Sequence, residues 1–269
     1  DVEHQIRKVW GRHTLLSILK HEIVTGNPGY ISTVFGTGLT EFVGFLGDIH
    51  VMTMGRTAMA SDRMDPVMCN PVSGRIPLAL EPRLDLMERR LDAYFSDLCT
   101  DVMGVRYDRQ VIGGLLVYEL IVTRRINNHV VDVPFRGEST GMMRLLDLFS
   151  AIMVYEGGGV VLADEVDACI HENMVREIIG CISREKSGQF IMTTQHPGLL
   201  EDSDPYNSFI LVLDSFADKS IHCIPNIERT VSGNNNRIRY TGGVFRGIPF
   251  TSYLDMADIW AMEREDGVE

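Results

Sequence analysis

A chain of 269 residues suffices for one large domain or two modest ones. Its 45% apolar share suits a packed soluble protein, and neither a membrane-length apolar stretch nor a charged-then-apolar leader is present. A net charge of −12 argues against broad capture of nucleic acid, and five cysteines without C-x-x-C spacing predict reduced core thiols in a cytoplasmic protein.

Gln5 to Ile23 carries a helical stripe (Ile6, Val9, Trp10, Leu15, Leu16, Leu19), and Thr33 to Met54 mixes helix and strand. Met59 to Pro82 contains four of the ten prolines with Ser and Gly, which predicts a loop or mobile insertion. From Pro82 to Thr100, Leu84, Met87, Leu91, Phe95 and Leu98 mark one face of an amphipathic helix. Leu115 to Val122 and His129 to Val133 predict a hairpin around Asn127-Asn128, a pair that tolerates left-handed backbone. Residues 1–114 thus read as a helical or mixed, lid-like insertion, and 115–269 as a C-terminal lobe. Arg89, Arg90, Arg106, Arg109, Arg124 and Arg125 suit solvated faces beside Asp85, Glu88 and Asp92 better than a DNA-binding strip. No heptad run announces a coiled-coil arm.

The chemistry concentrates further on. Glu138-Ser139-Thr140-Gly141 opens an apolar-periodic helix (Leu145, Leu146, Leu148, Phe149, Ile152), and a helix start with a free hydroxyl and free N–H groups captures phosphate. Val160 to Ala163 reads as a buried parallel strand delivering Asp164 and Glu165 to its carboxyl end. Two such carboxylates repel each other, so a cation is expected between them, and a hydrated magnesium ion carrying nucleotide phosphates meets that demand. A crossover helix follows over Asn173 to Ser183, and then a second strand, Gln189 to Thr194, which ends at His196. His171-Glu172 fails as a zinc motif, because Val175 stands where the second His is needed. Phe209 to Asp214 and Ser220 to Ile224 read as closing strands, and Asn234 to Asn236 as an exposed loop.

In these motifs the chain resembles the ABC-type ATPase superfamily over roughly Val130 to Phe250. Ser139-Thr140-Gly141 is similar to the signature motif, Gly159 to Glu165 to Walker B with its catalytic glutamate, Asp167 to His171 to the D-loop, and His196 to the switch histidine. The Glu-Ser-x-Gly opening, the Asp-Glu-x-Asp-Ala run and the tail Tyr240 to Phe250 resemble the AAA-like ATPases of the abortive-infection and overcoming-lysogenization-defect group, whose heads are SMC-like. The resemblance implies an α/β head with a parallel β core, using ATP and Mg2+. In it Asp164 would hold the metal, Glu165 would act on water and His196 would sense the γ-phosphate. Ser139, Thr140 and Gly141 would meet the nucleotide of a head-to-tail partner, with Asp167 coupling the two sites. It further implies anti-phage defence, a separate effector nuclease and no membrane partner, and leaves nucleic-acid binding open. An SMC-like DNA-repair head is the alternative.

One departure is plain. No Gly-x-x-x-x-Gly-Lys-Ser/Thr occurs, and neither Gly36-Thr37-Gly38 nor Gly26-Asn27-Pro28-Gly29 is followed by the needed Lys. The expectation is the C-terminal part of a longer ATPase. A non-hydrolysing scaffold is the other reading.

Overall fold

The computed structural model describes residue 23 and residues 28–47, 49–53, 56–58, 66–184, 187–213, 218–228 and 235–248. Apart from Ile23, the helical stripe expected over Gln5 to Ile23 lies outside them. The chain divides into two compact units, residues 1–195 and residues 196–269.

The first unit begins, among its described elements, with helices α1 (Pro28–Phe35) and α2 (Thr37–Gly47), followed by strands β1 (Ile49–Thr53) and β2 (Arg56–Ala58). β1 pairs in parallel with β7 (Val160–Ala163), and β7 in parallel with β8 (Gln189–Met192), while β2 closes one edge antiparallel to β1. Helix α5 (Thr140–Glu156) packs on β7 and β1. Its inward residues, among them Met142, Leu145, Leu148 and Phe149, are buried, as are Met52, Val161 and Ala163 of the strands. Parallel neighbours need a crossover, and α6 (Glu172–Arg184) supplies it between β7 and β8. The expected strand, crossover helix and second strand are all present.

A second, antiparallel sheet precedes α5. Its spine is β5 (Leu115–Ile126), which pairs on one side with β4 (Val102–Ile112) and on the other with β3 (Ser73–Pro77) and β6 (His129–Pro134). Asn127 and Asn128 both adopt positive φ, 49° and 66°, at the expected β5–β6 turn. Helix α4 (Glu81–Leu98) packs on β4 through the expected stripe, with Leu84, Met87, Leu91 and Phe95 buried. Acids of α4 also cover the strand's outer edge: Val105 N–H donates to Asp92 Oδ1 at 2.7 Å and Tyr107 N–H to Glu88 Oε2 at 2.6 Å. Such cover stops an edge strand from templating another chain.

Three readings are corrected. The stretch 66–82 is folded rather than a loop: Pro66 begins α3 (Pro66–Cys69), Pro77 ends β3 and Pro82 lies in the first turn of α4, so its prolines mark element boundaries. Of the five free cysteines only Cys99 is buried, while Cys69, Cys169 and Cys181 are exposed. Asn235 and Asn236 open a helix rather than a loop, Asn235 accepting the Ile238 N–H as an N-cap.

In the second unit β9 (Phe209–Leu213) pairs antiparallel with β10 (Lys219–Cys223), and the short helices α7 (Ile224–Ile227) and α8 (Asn236–Thr241) follow. Ile210, Ile224 and Phe245 form its core, with Val212, Ile227 and Tyr240 packed against them. No described helix in the chain is long and apolar enough to cross a membrane.

His50 on β1 is the unusual core residue, 2% exposed, with neither ring nitrogen meeting a partner among the described residues. Burial pushes its imidazole below the ordinary value of 6.5, so the folded protein holds it neutral. The unfolded chain therefore takes up the proton first as pH falls through 6.5, so the contribution of His50 to stability is fully present above that pH and is lost on acidification. His50→Leu is expected to leave stability at pH 7 within about 1 kcal/mol of wild type or raise it, because the orphaned polar atoms disappear. It should also flatten the acid-side decline. Chemical denaturation between pH 5 and pH 8 checks both, and a loss above about 2 kcal/mol at pH 7 would show that the ring has an essential partner.

Candidate active site

The site grows from the carboxyl end of β7. The ladder runs past the strand, because Asp164 N–H donates to Met52 O at 2.8 Å, Thr193 N–H to Ala163 O at 2.9 Å and Val166 N–H to Thr193 O at 3.0 Å. Asp164 emerges exposed and Glu165 half-buried. Glu165 also carries a φ of 48°, a left-handed conformation that costs a non-glycine residue about 1–3 kcal/mol.

Neighbours hold that geometry. Thr193 Oγ1 donates to Asp164 Oδ1 at 2.6 Å and accepts the Glu165 N–H at 2.8 Å, so one hydroxyl bridges the two acids. Gln195 Nε2 donates to Glu165 Oε1 at 2.7 Å. From α5, the buried Arg144 reaches both residues from behind. Its Nη2 donates to Asp164 O at 2.8 Å and Glu165 O at 2.9 Å, and its Nη1 to Thr53 O at 3.1 Å. Asp164 Oδ2 and Glu165 Oε2 meet no partner among the described residues.

The start of α5 is built with equal care. Glu138 makes a two-pronged ion pair with Arg124 of β5, at 2.7 and 2.8 Å, and Arg124 also pairs with Asp101. Ser139, exposed, caps the helix: its Oγ accepts the Met142 N–H at 3.3 Å, which leaves its own proton free to donate. Thr140 is exposed beside it. Gly141 lies against the turn that follows β7, where a Cβ would fall 2.8 Å from the Cys169 carbonyl oxygen. That turn is tight: Ala168 N–H donates to Glu165 O, Ile170 N–H to Asp167 O, and Cys169 has a φ of 63°.

The structure therefore brings Asp164, Glu165, Thr193 and Gln195 together, and packs Gly141, beside the exposed Ser139 and Thr140, against the turn that holds Asp167. His196 is the first residue of the second unit, where its Nδ1 accepts the Gly198 N–H at 3.3 Å. His171 likewise accepts the Asn173 N–H at the start of α6. Sequence reasoning missed Arg144, Thr193 and Gln195. Arg144 had a visible signal, a lone cation within an apolar helical repeat. The two others are polar residues at a strand end, where only three-dimensional pairing assigns them a task.

No group of three or more metal-ligating His, Cys, Asp or Glu occurs among the described residues. The donors at β7 are hard oxygens: two carboxylates and a hydroxyl. They suit a magnesium ion that takes one or two carboxylates and completes its shell with nucleotide phosphates and water. Among the described residues they form no stand-alone protein cage.

The profile of the family described as "AAA domain, putative AbiEii toxin, Type IV TA system" matches residues 68–201. Among solved structures, one from work on ATP-driven dimerization and DNA-stimulated activation of SMC ATPases is similar over 54% of this chain and 86% of its own, at 18% identity and a TM-score of 0.40. Another, the SMC head bound to the C-winged-helix domain of ScpA, is similar over 53% of this chain and 43% of its own, at 18% identity and a TM-score of 0.39. No curated protein matches the sequence.

Gly141→Ala tests the contact between the helix start and the turn. Alanine favours a helix by at most about 1 kcal/mol over glycine, whereas forcing a methyl onto a carbonyl costs about 1–3 kcal/mol, so the clash wins. The variant should melt at lower temperature than wild type. Unchanged or raised melting would show that the turn yields freely.

Proposed function

We propose that residues 68–201, which match the AAA-domain profile, form an ABC/AAA-like ATPase domain, and that the chain is the signature and Walker B portion of a nucleotide-driven ATPase working as a head-to-tail dimer. The observation that carries the reading is the Asp164-Glu165 pair, each acid held by one oxygen and each with one oxygen still open. Asp164 would hold magnesium together with the phosphates of ATP. When bound, that ion neutralises charge building up on the phosphates as the terminal group leaves. Glu165 orients the attacking water and takes its proton, with Gln195 fixing the rotamer through Oε1. Ser139 donates its free proton, and the N–H groups of Thr140 and Gly141 their dipoles, to the terminal phosphate bound by the partner subunit. Asp167, in the turn against Gly141, links the two composite sites.

The phosphate cradle of such an enzyme is a P-loop, which these residues lack as a motif, and we assign it to sequence preceding them. The family description names a putative AbiEii toxin of a type IV TA system, which supports a setting in toxin–antitoxin or anti-phage defence; a separate effector nuclease is the partner that the resemblance implies.

In the full-length protein, Glu165→Gln should cut ATP turnover on the order of a hundredfold or more while ATP-bound dimers accumulate, measured by phosphate release and sedimentation. Turnover within a few-fold of wild type would remove Glu165 from the chemistry. Ser139→Arg should abolish ATP-driven association with the fold intact. Normal association would leave Ser139 as a helix cap alone.

A further inference from the structure

Arg144 is a charged side chain in a place where an apolar one would pack. It is 5% exposed, on a helix whose inward residues are otherwise largely apolar, such as Met142, Leu145, Leu148 and Phe149. Burying an arginine carries a desolvation cost, and no carboxylate offsets it: its described partners are three main-chain carbonyls, those of Thr53, Asp164 and Glu165. Its Nε is buried with no partner among the described residues, so the side chain is placed for its two terminal nitrogens at the expense of the third. Those carbonyls lie just beyond or at the ends of two neighbouring parallel strands, β1 and β7. A planar fork can hold several at once, which a lysine ammonium on a flexible stem does poorly.

Arg144 stands one turn after Gly141, on the same side of α5, and Gly141 is pressed against the Cys169 carbonyl of the turn that follows Glu165. The helix start is thus fixed to the acid-bearing strand end at two points. We propose that Arg144 is a positioning residue that ties the start of α5 rigidly to the Asp164-Glu165 end of β7 within one subunit. Engagement of Ser139 to Gly141 with the partner's nucleotide then sets the subunit's own Glu165 for its own nucleotide. The inference rests on the head-to-tail reading above and adds the direction of the coupling: in cis through the protein, and so in trans between nucleotides.

Mixed dimers of the full-length protein, made with two affinity tags, test it. In the first, one subunit carries Arg144→Lys and the other Glu165→Gln. In the second, one subunit carries both changes and its partner is wild type. Only the site keeping its own Glu165 can turn over. The cis tie predicts that the first dimer loses at least tenfold relative to a wild-type/Glu165→Gln dimer, while the second keeps that control's rate. The KM for ATP should move less than threefold in both. If Arg144 instead shapes the helix start for the partner's nucleotide, the pattern inverts, and equal loss in both dimers marks a merely structural role; either result overturns the proposal. Should Arg144→Lys lower the folded fraction, Arg144→Gln is carried through the same pair of dimers, with rates expressed per folded molecule. A Glu165→Gln homodimer that turns over normally would sink the underlying reading instead, whatever the Arg144 dimers do.

Discussion

Two adjacent carboxylates at the end of a buried strand repel each other, and the residues around Asp164 and Glu165 meet that repulsion through the backbone rather than with a counter-charge on the carboxylates. The nearby guanidinium, that of Arg144, grips main-chain carbonyls. The carboxylates themselves receive one neutral donor each, from Thr193 and Gln195. On the proposed reading, a cation laid directly on the acids would fill the place of the metal-bound phosphate. Holding their backbone fixes the acids and keeps their outer oxygens open.

The remaining architecture serves that end. The parallel sheet places β1 and β8 on either side of β7, so Thr53, Thr193 and Gln195 arrive at the same edge as the acids. The antiparallel sheet contributes from another direction: Arg124 on its central strand holds Glu138, the residue that precedes the helix cap Ser139. β6 leads within a few residues into the start of α5. A left-handed Glu165 is tolerable because Thr193 takes its N–H and Arg144 its carbonyl, which over-determines the conformation.

Much of this was legible before any coordinates. An apolar run ending in Asp-Glu marks a parallel strand, since such strands are covered on both faces, and β7 occupies Val160 to Ala163 as expected, with Val161 and Ala163 buried and Val160 and Leu162 half-buried. The stripe of α4 and the Asn127-Asn128 turn were equally plain, since side-chain period and left-handed propensity are local properties. β4 was not legible, because a register shift between Val102 and Gly104 breaks its alternation, and its turn at Gly113-Gly114 hides among ordinary loop glycines. β3 was lost among prolines that mark element ends. Among the described residues, three of the six arginines expected beside acids do form ion pairs: Arg109 meets Asp85 and Glu88, Arg106 meets Asp132, and Arg124 meets Glu138 and Asp101. Arg144 could be seen as anomalous but not assigned, since its partners are carbonyls, and every residue has one.

The central claim is that the Asp164-Glu165 end of β7 receives the metal-bound phosphates of ATP. The most direct measurement replaces magnesium by Mn2+ in the full-length protein with ATP, and reads the manganese–phosphorus hyperfine coupling by pulsed electron paramagnetic resonance. A bound manganese coupled to phosphate in wild type, weakened at least tenfold in affinity by Asp164→Asn with the fold intact, is the result this account requires. The same coupling at the same affinity in the variant would place the nucleotide elsewhere and contradict it.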